Sequence, residues 1–208
     1  MSTLREFYSF LRWRIILARY LGLLRSLGDS RLPAKPRLQT PLARAVEQRG
    51  FAQGRTLTED AIEQIRAIYM PRAEVAVPPS RGHVFVNLFT AEDFSADNPV
   101  FQLAMSKDLL DLVSDYFGGR FRFDSIQVLH SFPRNSGLAE SQKWHKDYGD
   151  SRSLHWVIYL NDVFEPADGP FVFVDRNDTR KVARSPFIRR ISDDDFIQEI
   201  GHDNFQYF

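Results

Sequence analysis

The chain lacks cysteine, long uninterrupted hydrophobic runs and any excess of one charge. Without cysteine, disulfide frameworks and thiolate metal sites are excluded, and a reducing, cytoplasmic setting is expected. The most apolar stretch, residues 7–27, carries Arg12, Arg14, Arg19 and Arg25, which excludes a membrane-spanning helix, and it lacks the features of a signal peptide. With 27 basic and 27 acidic residues, the composition does not predict binding to nucleic acid.

What the chain does contain is enough apolar material for one sizeable core: 43% of its 208 residues are hydrophobic and 18 are phenylalanine. Residues 1–41 are interpreted as an amphipathic helix followed by a proline-containing linker, and residues 42–208 as the main domain. We expect the apolar stripe of the helix to pack on its own domain, the alternative being contact with a membrane surface or a partner.

The order of predicted elements indicates an α+β fold. Helices are predicted at 43–50, ended by Gly50, from the N-cap Thr58 to Pro71, and at 103–117 before Gly118. Strands are predicted mainly in the second half, at 51–52, 83–89, 121–132, 142–148, 154–161 and 171–175. Residues 165–170 form a strong turn signal, and 196–200 could be a helix or a strand. Short strands after a helical first half favour an antiparallel sandwich or barrel.

A possible metal site lies in the segment Trp144-His145-Lys146-Asp147. On a strand, His145 and Asp147 point to the same face, while Trp144 and Lys146 point to the other. An imidazole and a carboxylate side by side can hold one metal ion, as in the two-histidine, one-carboxylate iron sites. The plain alternative is a surface histidine and aspartate near a turn. Trp144, on the opposite face, is expected in the core.

Five segments in the same order resemble one known family. They are Gly50-Phe51-Ala52 with Leu57-Thr58-Glu59-Asp60, Leu109-Leu110-Asp111-Leu112 through Phe117-Gly118, Trp144-His145-Lys146-Asp147, Trp156-Val157-Ile158-Tyr159-Leu160-Asn161-Asp162, and Asp168-Gly169-Pro170-Phe171. Over residues 43–175 the chain resembles the phytanoyl-CoA dioxygenase-like oxygenases that depend on Fe(II) and 2-oxoglutarate. The histidine–aspartate pair alone is a weak signal, and the order and spacing of all five segments strengthen it.

The resemblance implies a double-stranded β-helix, or jelly roll, flanked by N-terminal helices. It implies hydroxylation of a small-molecule or lipid-like substrate by O2, with decarboxylation of 2-oxoglutarate to succinate. His145 and Asp147 match the first two iron ligands. Trp156 corresponds to a residue that lies against the 2-oxoglutarate pocket, although core packing is equally open for it. Gln127 and His130 precede the motif and face opposite ways on a strand, so at most one of them points into that pocket.

The resemblance fades after Asp175. The family has a distal histidine ligand, followed by an arginine that pairs with 2-oxoglutarate. The histidine that follows here, His202, stands in a turn-like context with no arginine after it, so we expect a domain that is incomplete by residue 208. The basic segment 176–190 could face an anionic substrate or simply be a solvated surface.

Two other functions stay open. One is a non-catalytic jelly-roll binding protein that lacks a complete metal triad. The other is a cupin-like metalloenzyme of another reaction type, which would need His130 or His155 close to His145. Neither the substrate nor the oligomeric state follows from the sequence.

Overall fold

The computed structural model describes residues 11, 14, 38–79, 84–119, 121–132, 142–145, 153–165, 168–182, 190–201 and 205–207. Of the predicted N-terminal helix, Leu11 and Arg14 fall within these residues, and both are helical and exposed. Among the described residues, no helix has the length and hydropathy that a membrane crossing requires.

Six helices of more than one turn lie in the described part of the chain. They are α1 (Pro41–Arg49), α2 (Glu59–Glu74), α3 (Pro99–Ala104), α4 (Lys107–Phe117), α5 (Arg176–Val182) and α6 (Asp193–Ile200), and a 3-10 turn covers Ala91–Asp93. The Thr40 and Thr58 hydroxyls accept the backbone N–H groups of Ala43 and Ala61, as N-caps do. Gly50 ends α1 with a φ of 94°, a left-handed conformation that favours glycine.

The strands are short and form three two-stranded antiparallel sheets within the described residues. They are β1 (Phe85–Asn87), β2 (Leu129–Ser131), β3 (Trp144–His145), β4 (Val172–Phe173), β5 (Arg190–Ile191) and β6 (Gln206–Tyr207). The pairs are β1 with β2, β3 with β5, and β4 with β6. Each pair therefore joins segments that are far apart in the chain.

Two of the predicted strands, at 51–52 and 154–161, are wrong, and the strand predicted at 121–132 is confirmed only over Leu129–Ser131. Residues 51–52, 121–128 and 154–161 are not in strands, although their side chains favour β structure. A strand needs a hydrogen-bonded partner as well as a favourable sequence, and propensity alone supplies no partner. The remaining strands are shorter than predicted, and the segment 196–200 is helical.

Two helix boundaries also differ from the prediction. Helix α2 continues through Pro71 to Glu74, and Arg72 in this last turn is bonded to Leu88 and Asp93. These bonds offset the single backbone hydrogen bond that a proline removes. The helix predicted at 103–117 is divided in two, since α3 ends at Ala104 and Ser106 occupies the N-cap position of α4.

The larger core lies between α2 and the β1–β2 pair. Its buried members are Ile65, Tyr69, Leu88, Phe89 and Val128. A polar network lies at the edge of this core. Asp93 accepts hydrogen bonds from Arg72 at 2.5 and 3.0 Å and from the Asn98 amide at 3.1 Å. The same amide also donates a hydrogen bond to the Tyr69 hydroxyl at 2.9 Å. Because both Asp93 and Asn98 are buried, these bonds offset the cost of removing polar groups from water.

A second, smaller core lies beneath the β3–β5 pair. Val174, Phe196 and Ile200 are its buried members, and Trp144, Ile191 and Phe205 pack against them. This cluster joins strand β3, strand β5 and helix α6, and it positions the segment that carries His145.

Candidate metal site

The strand β3 separates its two side chains onto opposite faces. Trp144 packs inward, stacked on Phe196 with a centroid distance of 4.1 Å and an interplanar angle of 6°, and it also contacts Phe205 at 4.8 Å. His145 is exposed on the outer face. The prediction that Trp144 belongs to the core is confirmed, and the alternation expected of a strand places His145 toward solvent.

The imidazole of His145 has a defined backbone partner. Its Nδ1 lies 2.7 Å from the carbonyl oxygen of Lys143. A carbonyl can only accept a hydrogen bond, so Nδ1 carries the proton and donates it. In the neutral ring the lone pair then belongs to Nε2, the nitrogen that points away from this carbonyl.

The residue directly across the ladder from His145 is Arg190. In the β3–β5 register, Trp144 pairs with Ile191 and His145 pairs with Arg190. Trp144 and Ile191 both pack on the smaller core, so His145 and Arg190 share the exposed face. Side chains directly opposite in an antiparallel pair have Cβ atoms about 4.5–5.5 Å apart.

Two predicted members of the metal site fall outside the described residues, namely the proposed ligand Asp147 and the weaker candidate His202. Within the part of the chain that the structure describes, no group of three histidine, cysteine, aspartate or glutamate residues is arranged to hold a metal ion. The described geometry of the site is therefore that of His145 and its neighbours.

Neither of the two polar candidates that precede the motif lies in the β3–β5 sheet, since Gln127 is outside any strand and His130 is in β2. Gln127 is exposed, and His130 is half-buried in β2, where it pairs with Val86 and meets the ring of Phe132 edge-on at 4.6 Å. Between them, Val128 is buried in the larger core. The prediction that Gln127 contacts 2-oxoglutarate stays a prediction.

Trp156 is a partly exposed residue packed against a glycine. Its side chain is 40% exposed, which excludes the alternative of a buried core residue. A Cβ atom built on Gly54 would lie 2.9 Å from Cη2 and 3.0 Å from Cζ2 of the indole. Gly54 thus leaves room for the indole to lie against the backbone, and a larger residue would displace it.

The predicted turn at 165–170 is stabilised by Asp168. Its carboxylate accepts the N–H groups of Phe164 at 2.8 Å and Glu165 at 2.9 Å. The bonds from Glu165 and Phe164 hold the pKa of Asp168 below its ordinary range. The adjacent Gly169 has a φ of 76°, which suits a tight turn.

Sequence reasoning missed two features of the site: the carbonyl of Lys143 that orients His145, and the position of Arg190 beside it. The first is a backbone contact and leaves no mark in the sequence. The second depends on pairing between segments 45 residues apart, as the register His145 with Arg190 shows. The only available signal was that Arg190 ends a basic segment.

No family model matches the chain, and neither a curated protein nor a solved structure matches it.

Proposed function

We propose that this chain is an oxygenase domain that binds Fe(II) and 2-oxoglutarate and hydroxylates a small organic substrate. The observation that carries the proposal is the hydrogen bond from His145 Nδ1 to the Lys143 carbonyl at 2.7 Å. Metal-binding histidines almost always donate the ring N–H that is not used for the metal to a carbonyl or carboxylate, which fixes the tautomer and the ring orientation. His145 meets this requirement, with Nε2 as the metal-binding nitrogen.

The donor set present in the chain fits Fe(II). His145 offers a neutral imidazole nitrogen, and Asp147, two residues on, offers a carboxylate, the two ligand types of a non-heme iron site. Both ligands bind the metal in their deprotonated forms. The complete jelly roll, with a distal histidine as third ligand, is part of this proposal.

Each residue has a defined part in the proposed reaction. When bound, iron and 2-oxoglutarate supply the oxidising chemistry, in which O2 oxidises a substrate C–H bond and 2-oxoglutarate leaves as succinate and CO2. Trp144 anchors β3 in the smaller core, and the Lys143 carbonyl holds the His145 ring in position. Trp156 and Gln127 are proposed to line the pocket of 2-oxoglutarate, where an indole excludes water and an amide hydrogen-bonds to the anion.

An anaerobic titration with Fe(II) and 2-oxoglutarate tests this function. Chelation of the ferrous ion by 2-oxoglutarate gives a visible charge-transfer band, so binding is measured without turnover. We expect the band in the intact chain and its loss in His145→Ala and in Asp147→Ala. His155→Ala is the matched control because His155 is also an exposed histidine, and this variant should keep the band.

The pattern of variants separates the possible outcomes. Equal bands in the intact chain and in His145→Ala would contradict the assignment of this ligand. If neither the chain nor a version extended at its C-terminus gives a band, the oxygenase function is wrong and the non-catalytic binding protein is favoured.

A further inference from the structure

The exposed face of the β3–β5 pair carries an arginine whose side chain has no partner among the residues that the structure describes. Arg190 is exposed and forms no ion pair or side-chain hydrogen bond within the described residues. It differs in this from the other arginines whose side chains the structure describes. Acidic partners within 4 Å are found for Arg49, Arg55, Arg66, Arg72, Arg122 and Arg176. Arg44 donates to two backbone carbonyls, and Arg14 is also engaged.

The position of this unpaired guanidinium is fixed by the ladder. Arg190 lies directly opposite His145, and the packing of Trp144 and Ile191 on the smaller core prevents a one-residue slip that would turn both side chains inward. Lys143, two residues before His145, is exposed as well. Arg190 thus lies across the ladder from the imidazole that the proposed function assigns to iron, and a second basic residue, Lys143, lies two positions before it in the chain.

The acidic residues that follow Arg190 in the chain are partly engaged in other hydrogen bonds. Asp193, Asp194 and Asp195 begin α6, directly after Ser192, and all three are exposed. Asp195 accepts a hydrogen bond from the Ser192 hydroxyl at 2.6 Å, and Ser192 caps the helix in return. Carboxylates in a first helical turn are stabilised by the helix dipole. These three carboxylates reduce the attraction of the face for anions, but none of them, and no other acid among the described residues, is bonded to the guanidinium of Arg190.

We propose that Arg190, assisted by Lys143, binds the acidic group of an anionic ligand that lies against His145. Planar guanidinium groups bind carboxylates and phosphates with two parallel hydrogen bonds, which gives orientation as well as affinity. The inference rests on the proposed function, and it adds that the substrate is an acid, with a carboxylate or phosphate held on this face. Within the basic segment 176–190, Arg176 donates a hydrogen bond to the Glu47 carbonyl at 2.6 Å. Arg190, by contrast, is available to bind a ligand.

Binding of two simple anions to the metal-free chain tests the inference separately from iron. Succinate and inorganic phosphate are titrated by calorimetry at constant ionic strength, with neutral glycerol as the blank. We expect at least one anion to bind, and Arg190→Gln to weaken its binding about tenfold or more, since the variant loses hydrogen bonds between charged groups. Arg190→Lys keeps the charge but loses the planar fork, so its affinity should fall between the two.

Matched variants distinguish this site from general surface charge. Arg122→Gln removes another exposed arginine, 74% exposed and paired with Asp124, and should leave anion binding unchanged. Thermal unfolding of Arg190→Gln shows whether this variant is still folded. If it is not, the anion affinity of Arg190→Lys is compared with that of the intact chain instead. Equal affinities in the intact chain, Arg190→Gln and Arg190→Lys would overturn the inference, as would the absence of binding to either anion.

The two proposals fail in different ways. If anions bind through Arg190 but neither the chain nor its extended version gives an iron–2-oxoglutarate band, the oxygenase function is wrong and the anion site stands. If the band forms but anion affinity does not depend on Arg190, the oxygenase function stands and this inference is wrong. Preference for phosphate over succinate, or the reverse, identifies which acid group the ligand carries.

Discussion

The indole of Trp144 and the ring of Phe196 lie nearly parallel, 4.1 Å apart between centroids, and this contact connects strand β3 to helix α6. The second aromatic contact recorded for Trp144, with Phe205, is longer at 4.8 Å. The position of the strand that carries the proposed metal ligand therefore depends on the packing of the smaller core.

Truncating this stack should destabilise the chain. Phe196 is 6% exposed, and replacing a buried phenylalanine with alanine costs about 3–5 kcal/mol. We expect Phe196→Ala to lower the free energy of unfolding by about 3 kcal/mol in urea denaturation, and Phe196→Leu by less. Val157→Ala, at a side chain that is 57% exposed, is the control and should change stability by less than about 0.5 kcal/mol. Similar losses in Phe196→Ala and Val157→Ala would contradict the packing described for α6.

The polar network of the larger core predicts a strong effect at Asp93. The Asp93 side chain is 6% exposed and paired with Arg72, so Asp93→Asn leaves a guanidinium without its charged partner. Breaking a buried pair costs about 3–5 kcal/mol, and we expect the lower end because Arg72 reaches solvent. Asp124→Asn, which breaks the exposed pair with Arg122, should cost less than about 1 kcal/mol. Chemical denaturation of both variants gives the comparison, and equal losses would show that the Asp93 pair is not buried in solution.

Stability should fall in acid below the ordinary carboxyl pKa of 3.8. Arg72 lowers the pKa of Asp93, and hydrogen bonds from Glu165 and Phe164 lower that of Asp168. Burial raises the pKa of Asp115, but N–H groups of Gln39 and Thr40 outweigh it and the net change is a lowering. Folding thus favours the ionised forms. The stabilisation is complete well above pH 3.8 and disappears as pH falls from there through the lowered pKa values.

Urea midpoints measured between pH 7 and pH 2.5 test this dependence. The intact chain should lose stability steeply below pH 4, and Asp93→Asn should lose less over the same range because one of the responsible groups is absent. Identical pH profiles for the two proteins would contradict the lowered pKa of Asp93.

The contact between Gly54 and Trp156 can be tested by adding one methyl group. In Gly54→Ala the new Cβ would lie 2.9 Å from the indole, so the ring must move. Because Trp156 is 40% exposed, we expect a stability loss below about 1 kcal/mol with a clear change in tryptophan emission. The change should vanish when Gly54→Ala is made in a Trp156→Phe background. An emission change that persists without Trp156 would show that the methyl group acts elsewhere.

Local signals in the sequence were sufficient for several helix boundaries and for the alternation along β3. The caps Thr58 and Gly50 act through adjacent backbone groups, so their helix boundaries could be predicted from neighbouring residues. The alternation of Trp144 and His145 on a strand was predictable for the same reason. Strand assignments at 121–128 and 154–161 were wrong because their apolar residues found no pairing partner in the described chain.

The site itself was only partly accessible to sequence reasoning. His145 could be identified as a ligand candidate from its spacing to Asp147, but the partner of its ring is a backbone carbonyl that any residue would offer. Arg190 could not be placed beside His145, since strand register is decided by the packing of Trp144 and Ile191 on one core. The buried network of Arg72, Asp93 and Asn98 likewise depends on contacts between distant segments.

The tautomer and metal response of His145 test the central claim most directly. Long-range nitrogen–proton NMR of the metal-free chain reports which ring nitrogen carries the proton, and addition of Fe(II) broadens signals next to the metal. We predict a proton on Nδ1, as the bond to the Lys143 carbonyl requires, and loss of the Nε2 signal of His145 on adding Fe(II), with His155 unaffected. A proton on Nε2, or an Nε2 signal that Fe(II) leaves unchanged, would contradict the assignment of His145 as the metal-binding residue.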